Sequence, residues 1–541
     1  MRPENYFADF KRAIASGNFQ LLIFASLIAG GFLFSLLGWS TFSEDDAHVM
    51  RVAIESGWLD PYYNGDIYKQ LSAANFTPVV LTLFHAVLVI LPLGSASFLI
   101  VSIIFMALFI ALAGVLAREI SGSSRGAWLA MVLVFSNLAV ATLVSRFYTM
   151  HYIVGGVFAL LALILSIRKP SGSIGLFSIG ILLVLALLAK EVYVGVPLIV
   201  LLVAWRTSNL KLAASAIAAV VIYFCMRLLV LGLPTGDGSG SGYLASVLSI
   251  GGESWAISGE SWAAFFEWYL ETKWLVLLAA LAAFFYSPLK FIKLLPLPLL
   301  FLLPTFLAAH GYLNPQLHGD RIFFAFDSAM AIAAAIILAP LLSERGYVAK
   351  FGLPACLIGS LVLHVQYIGH YRAQEQDTAD YKVTQYLMDS ENIIDNKTFF
   401  VPLYFDQGEL MIVEKALNNR TFLATQNCIL ALQAPVEQLV VFDQSGDVGS
   451  REGLEASCRP TDRALEVLIA PRVIKGVVEW DLDIKPGFTG GVLFVDRAIA
   501  IPAPSFSMLM VAPANGERYQ LFAFKENQWW FSEIAEMEIQ R

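Results

Sequence analysis

Apolar runs long enough to cross a lipid bilayer recur along the first 370 residues of this 541-residue chain. A hydrocarbon core about 30 Å thick needs about 20 apolar helical residues per crossing. Inside it, every backbone polar group must be satisfied within the protein, so repeated runs of this kind mean a helical bundle. The sequence predicts spans near residues 18–40, 95–117, 126–144, 150–167, 173–189, 192–206, 211–232, 273–288, 291–309, 322–342 and 350–369. The first is too long for the apolar core of a cleaved leader and reads as a retained anchor. A further run, Phe76 to Leu93, is equally apolar, and whether it crosses fixes the side of everything after it.

Charge placement arbitrates, because Lys and Arg collect in cytoplasmic loops. With Phe76 to Leu93 lying along the outer interface, 13 Lys and Arg fall inside and 6 outside. With that run crossing, the split is 7 inside against 12 outside. The first arrangement is therefore expected: eleven spans, a cytoplasmic N-terminus and an extracytoplasmic C-terminal domain. The outer cations are then Arg51, Lys69, Arg146, Lys190, Lys273 and Arg321.

Composition divides the chain the same way. It is 57% apolar and 14% charged, whereas a soluble domain carries about 25% charged residues. That excludes a water-soluble globule of this size, a disordered chain and a nucleic-acid-binding one. Residues 1–370 hold 20 Lys and Arg against 18 Asp and Glu, while residues 371–541 hold 15 against 25. Two domains follow: a membrane domain over 1–370, with outer loops 41–94 and 233–272, and an acidic soluble domain over 371–541. The latter opens with an expected helix near 373–393. Short β-rich runs such as TFFVPLYF, QLVVFDQ, ALEVLIAP, GVLFVDR, FSMLMVAP and RYQLFAF follow, the pattern of an α+β or sandwich-like module. Cys428 and Cys458 both lie there, 30 residues apart, and an oxidising compartment predicts a disulfide between them. Cys225 and Cys356 lie in apolar runs, where a thiol packs as a small hydrophobe.

The long loops face outward, so chemistry is expected there. The first outer loop opens with Glu44-Asp45-Asp46, directly after the first span. Adjacent carboxylates at a membrane surface repel each other, which raises the energy of the fully ionised state. They form either a solvated helix cap or a catalytic base or metal site held against the bilayer. Arg146, Lys190 and Arg321 fall at outer span ends, where each cation can meet an anionic headgroup or simply snorkel. Asp327 lies inside a span, at an insertion cost of about 2.5–3.5 kcal/mol, and should face a cavity or a partner such as Arg321 or Arg227. The Trp-rich stretch from Glu253 to Trp268 reads as an interfacial helix or as the lining of a sugar site.

An anchor span, an acidic pair, a helix and a Thr77-Pro78 interfacial helix come in that order. This arrangement resembles the GT-C superfamily of integral-membrane glycosyltransferases. The nearest patterns are those of the lipid A aminoarabinose transferases and protein O-mannosyltransferases. The resemblance implies a polytopic α-helical fold and a sugar donor carried on polyprenyl phosphate, used at the outer face of the membrane. It puts the acidic pair on Asp45-Asp46, with Asp45 activating the acceptor. Ala189-Lys190-Glu191 stands where the family carries a Thr-Lys-Gly-like stretch, so Lys190 is implied to meet the carrier phosphate. Asp320-Arg321-Ile322-Phe323-Phe324 matches a recurring Arg before a late span. Where the family carries a further acid, this chain has Ser145-Arg146-Phe147-Tyr148-Thr149-Met150-His151, so Tyr148 or His151 would have to substitute.

Glu44, His48, His318, Asp320 and Asp327 complete the candidate substrate contacts. His310, His318, Asp320 and His48 lack metal-ligand spacing, so no metal site is expected. Phosphate is already a good leaving group, so a divalent cation is optional. The expected partners are a polyprenyl-phosphate-linked sugar, a glycan, lipid or protein acceptor and the bilayer itself. The expected location is a bacterial inner membrane with the acidic domain in the periplasm. The rival is a transporter or lipid flippase. It would show matched Gly/Pro-broken halves, which the sequence lacks, and would have no need of a 171-residue outer module.

Overall fold

A computed structural model describes residues 56–65, 76–91, 95–168, 172–231, 259–309, 320–344, 352–376, 378–388, 396–401 and 423–460. It also describes short pieces near 31, 49–53 and 67–68, and strands with their flanks between 472 and 536. Contact density divides the chain into two compact units. One comprises Met1–Thr41, Ser56–Tyr68 and Ser72–His370; the other comprises Phe42–Glu55, Lys69–Leu71 and Tyr371–Arg541.

The first unit is helical. α1 spans Pro78–Ile90, α2 Ser95–Ser121, α3 Ser124–Phe135, α4 Ala139–Ser145, α5 Met150–Ile167, α6 Ser173–Ala189, α7 Gly195–Arg206 and α8 Leu210–Leu231. Beyond the second large loop come α9 Gly259–Tyr286, α10 Pro288–Leu294, α11 Pro296–Ala309, α12 Asp320–Glu344 and α13 Leu353–Gln376. Among the described residues, four stretches are long and apolar enough to cross a membrane: Ala96–Ser121, Phe147–Ile167, Leu210–Leu231 and Arg321–Leu342. The bent pair α3 and α4 makes a fifth if it counts as one span. The apolar stretches in α1, α6, α9 and α13 are shorter.

Three expectations change here. The expected single span over 126–144 is broken, because α3 and α4 meet at 65°. The Trp-rich stretch is not a separate interfacial helix from residue 259 onward, since α9 runs unbroken from Gly259 to Tyr286. The helix expected at 373–393 is also divided: α13 ends at Gln376 and α14 covers Ala379–Met388.

Why these helices pack is visible in their small residues. A Cβ on Gly156 would come within 2.4 Å of the Phe109 ring, and one on Gly155 within 2.7 Å of the Tyr193 ring. Glycine therefore lets α5 lie against α2 and against the turn that follows α6. At α3 the Ser123 hydroxyl caps the helix by accepting from the Gly126 amide at 3.3 Å. The 13 residues of α1 would extend about 20 Å, less than the ~30 Å hydrocarbon core. Its Val80, Leu81, Phe84 and Val87 are buried, while Val89 and Ile90 are exposed.

The second unit is α+β. Strands β1 (Thr398–Phe400), β2 (Leu423–Thr425) and β3 (Leu439–Val441) form a parallel sheet in the order β2-β1-β3. Val383 and Leu387 of α14 pack on it with Phe399, Val401, Ala424 and Phe442. Next come the short helices α15 (Cys428–Leu432) and α16 (Arg451–Ser457) and strands β4 (Cys458–Pro460), β5 (Arg472–Ile474) and β6 (Val477–Glu479). The remaining strands are β7 (Thr489–Phe494), β8 (Ile499–Pro502), β9 (Arg518–Lys525), β10 (Gln528–Phe531) and β11 (Ala535–Glu536). The larger sheet runs β4-β10-β9-β7-β8 with β11 also on β9, and β5 pairs with β6 alone. Four of the expected β-rich runs carry strands; those over 464–471 and 506–513 lie outside the described residues. Cys428 and Cys458 are joined, with Cα atoms 5.9 Å apart. The bridge sits in a core with Phe400, Leu454, Leu493, Phe522 and Phe531.

Candidate functional site

Contacts between helix ends sort them into two sets. One set joins the end of α4, the start of α5, the ends of α6 and α8, and the start of α12. At the other, Arg168 after α5 meets Glu119 of α2 at 2.6 Å. There too, Arg125 of α3 donates to the carbonyl of Leu342 in α12 at 2.7 Å.

Lys190 owes its place to a change of backbone. Its φ of −160° and ψ of 133° end α6, and a 3-10 turn, Glu191–Val194, follows at once. Tyr193 pins that turn to α5 by donating to the Tyr152 carbonyl at 2.5 Å. Lys190 Nζ then lies 5.2 Å from the centre of the Tyr152 ring and 4.0 Å from Glu191 Oε2. The other carboxylate oxygen of Glu191 accepts from Arg227 of α8 at 2.8 Å and from the Phe76 amide at 2.8 Å. Phe76 leads into Thr77 and Pro78, so Glu191 ties the start of α1 to this end of the bundle.

Arg321 enters from α12. Its guanidinium carbon lies 4.9 Å from the centre of the Tyr148 ring, and its Nη1 donates to the Tyr148 hydroxyl. Tyr148 stands on the 3-10 turn Phe147–Thr149, whose Thr149 hydroxyl donates to the Arg146 carbonyl at 2.6 Å. Arg146 itself ends α4 with φ −100° and ψ 101°. His151, in the first turn of α5, packs its ring 4.5 Å from that of Tyr152 and feels the charges of both Lys190 and Arg321. Two cations from two different helices thus lie over tyrosines one turn apart. A cation on an aromatic face gains about 0.5–2 kcal/mol, and a neutral ring does not cancel its charge.

Beside α1, the turn 56–65 is held by side chains. Trp58 and His85 rings meet at 4.8 Å, and Thr82 donates to the Trp58 carbonyl at 3.2 Å. The Tyr63 hydroxyl and the Gly57 amide both donate to Asp60, which holds its carboxyl below the ordinary carboxylate range.

Asp327 has a cationic partner from a helix other than those named from sequence: Lys273 of α9, 3.8 Å away, with both side chains fully buried. Arg227 is engaged by Glu191 instead. Lys273 is correspondingly not an outer-loop cation but an interior one. Asn137 and Tyr269 complete that buried group, donating to the two Asp327 oxygens at 3.2 and 2.5 Å.

The structure brings together Lys190, Arg321, Tyr148 and His151, with Arg146 two residues before Tyr148. Glu44, Asp45, Asp46, His48, His310 and His318 lie outside the described residues, and Asp320 is described only as the first residue of α12. Glu191, Arg227, Tyr152 and Asn137 were not singled out as site residues from sequence. Glu191 was legible as the neighbour of Lys190, and Asn137 as a lone amide in an apolar run. Among the described residues no cluster of three or more His, Cys, Asp or Glu could hold a metal ion.

No family model matches the chain, and no curated protein matches it. Solved structures do. The oligosaccharyltransferase of Archaeoglobus fulgidus, in complex with zinc and sulfate, superposes at TM-score 0.40 with 14% identity, over 75% of this chain and 62% of that one. The same enzyme, AglB, with an inhibitory peptide and a dolichol-phosphate gives TM-score 0.42 and 14% identity, over 76% and 65%. Its form tethered to an acceptor peptide gives 0.39 and 13%, over 76% and 64%. The chain spans less than two thirds of the length of each of these structures.

Proposed function

We propose that the protein is a membrane glycosyltransferase that moves a sugar from a polyprenyl-phosphate donor to an acceptor at the outer face of the membrane. The observation that carries this reading is the pair of cations, Lys190 and Arg321, laid over Tyr152 and Tyr148 at one end of an apolar bundle. A polyprenyl phosphate has an anionic head at the interface and a long apolar tail, and it needs cations beside a greasy surface. Arginine presents a fork matched to phosphate, and lysine a point charge.

In this reading Arg321, Lys190 and Arg146 stabilise the departing phosphate, which is charge stabilisation aimed at the leaving group. Asp45 deprotonates the acceptor as it attacks the anomeric carbon from the opposite face, so configuration inverts. Asp46 orients Asp45 or binds the acceptor. Tyr148 and His151 stand in the place where the resembling families carry a further acid. Eleven spans with a cytoplasmic N-terminus put this end of the bundle and the soluble unit outside, in the periplasm of a bacterial cell. The soluble unit then presents a glycan, lipid or protein acceptor.

The test is transfer from a labelled polyprenyl-phosphate sugar by purified protein in nanodiscs. Asp45→Asn keeps the side-chain shape but cannot take a proton, and general-base catalysis is worth about 10²–10⁴ in rate. That loss is expected with insertion and monodispersity intact. Full activity in Asp45→Asn removes the base, and no transfer by the wild-type chain removes the function.

A further inference from the structure

The buried group around Asp327 does more than neutralise a charge. Between α3 and α4 the helix breaks at residues 136–138, and the chain leaves in a new direction. Part of the freed backbone is satisfied locally: the Ser136 amide reaches the Val132 carbonyl at 2.8 Å, and its hydroxyl the Leu133 carbonyl at 2.8 Å. The Asn137 side chain adds to this. Its Oδ1 accepts from the Ala139 amide at 3.0 Å and from Lys273 Nζ at 2.5 Å, while its Nδ2 donates to Asp327 at 3.2 Å. Two donors face the oxygen and a carboxylate faces the nitrogen, so the amide has one orientation that satisfies every partner. Tyr269 of α9 holds the remaining oxygen of Asp327. One side chain therefore serves the start of α4, α9 and α12 together.

The elements so joined are those that carry the candidate phosphate site. α4 runs into Arg146 and Tyr148. α12 carries Arg321 six residues before Asp327, under two turns away. A buried ion pair is weak evidence of stability, since an apolar pair of similar volume often serves as well. Its use here is to fix two chain segments relative to each other. We propose that Asn137, Asp327, Lys273 and Tyr269 form a positioning network that sets where Tyr148 and Arg321 meet, and hence where a lipid-linked phosphate is held. The phosphate clause rests on the donor reading above; the geometric clause does not.

Two variants test it: Asn137→Leu, and the double change Lys273→Met with Asp327→Leu, which removes both charges while keeping bulk. Amide exchange in nanodiscs, read by mass spectrometry, is expected to quicken at least tenfold over 139–149 in both, with 173–189 unchanged. Steady-state kinetics should show the donor KM up at least tenfold, with kcat and acceptor KM within twofold of wild type. Adding Arg321→Ala to Asn137→Leu should raise the donor KM no further than Arg321→Ala does alone, because coupled sites are not additive. Unchanged exchange over 139–149 overturns the network. So does exchange that quickens equally in every helix, which marks general loss of structure. A wild-type chain that transfers nothing from polyprenyl-phosphate sugars overturns the donor reading only; the exchange pattern then still decides the network.

Discussion

The two ends of the helical bundle place their cations in different surroundings. At one, Arg168 and Glu119 meet at 2.6 Å with side chains 47% and 29% exposed, a solvated pair of the kind worth about 0–1 kcal/mol. At the other, Lys190 is only 12% exposed and lies over a tyrosine, as Arg321 lies over another. A cation neutralised in water has already found its counter-ion. Lys190 also has Glu191 4.0 Å away, so what distinguishes this end is burial and packing on aromatic rings. That contrast separates an exposed ion pair from two cations packed on tyrosine rings.

The contrast can be broken at several points. Arg321→Ala should do most: a hydrogen bond to a charged group is worth about 1.5–3 kcal/mol, so the donor KM should rise about 10–150-fold. Lys190→Ala should fall in the same range, and an unchanged donor KM in both would erase the distinction between the ends. Glu191→Gln should come next, at about 1–2 kcal/mol of lost thermal stability, because Arg227 loses a half-buried counter-charge while the Phe76 amide keeps an acceptor. Arg321→Lys keeps the charge but gives up the planar stack on Tyr148, and should cost about fivefold in donor KM. Smallest is Arg168→Ala at the opposite end. There, stability should move by less than about 1 kcal/mol and transfer kinetics not at all.

The same contrast marks how far the sequence could be read. Long apolar runs announce helices because their signal is local, and the positions of Lys190 and Arg321 at helix ends follow from where those runs stop. The disulfide was legible for a similar reason, since Cys428 and Cys458 are the two cysteines of the acidic region. Partners across the bundle were not. Lys273 stands at the edge of an apolar run and reads as a loop cation, yet α9 continues to Gly259 and carries it into the interior. Asp327 was matched to cations at helix ends because charge alone cannot say which helix lies opposite. The break at 136–138 had one local sign, the polar pair Ser136-Asn137 inside an apolar run. The groups that meet Asn137 there, Lys273 and Asp327, lie far away in the chain.

Locating the donor tests the central claim most directly. A polyprenyl phosphate carrying a photoactivatable group near its phosphate, reconstituted with the protein in nanodiscs, can be crosslinked and mapped by mass spectrometry. The account predicts adducts in peptides covering 146–152, 190–194 and 321–324, suppressed by excess unlabelled polyprenyl phosphate and lost in Arg321→Ala with Lys190→Ala. Competable adducts confined to the end that carries Glu119 and Arg168 would contradict it.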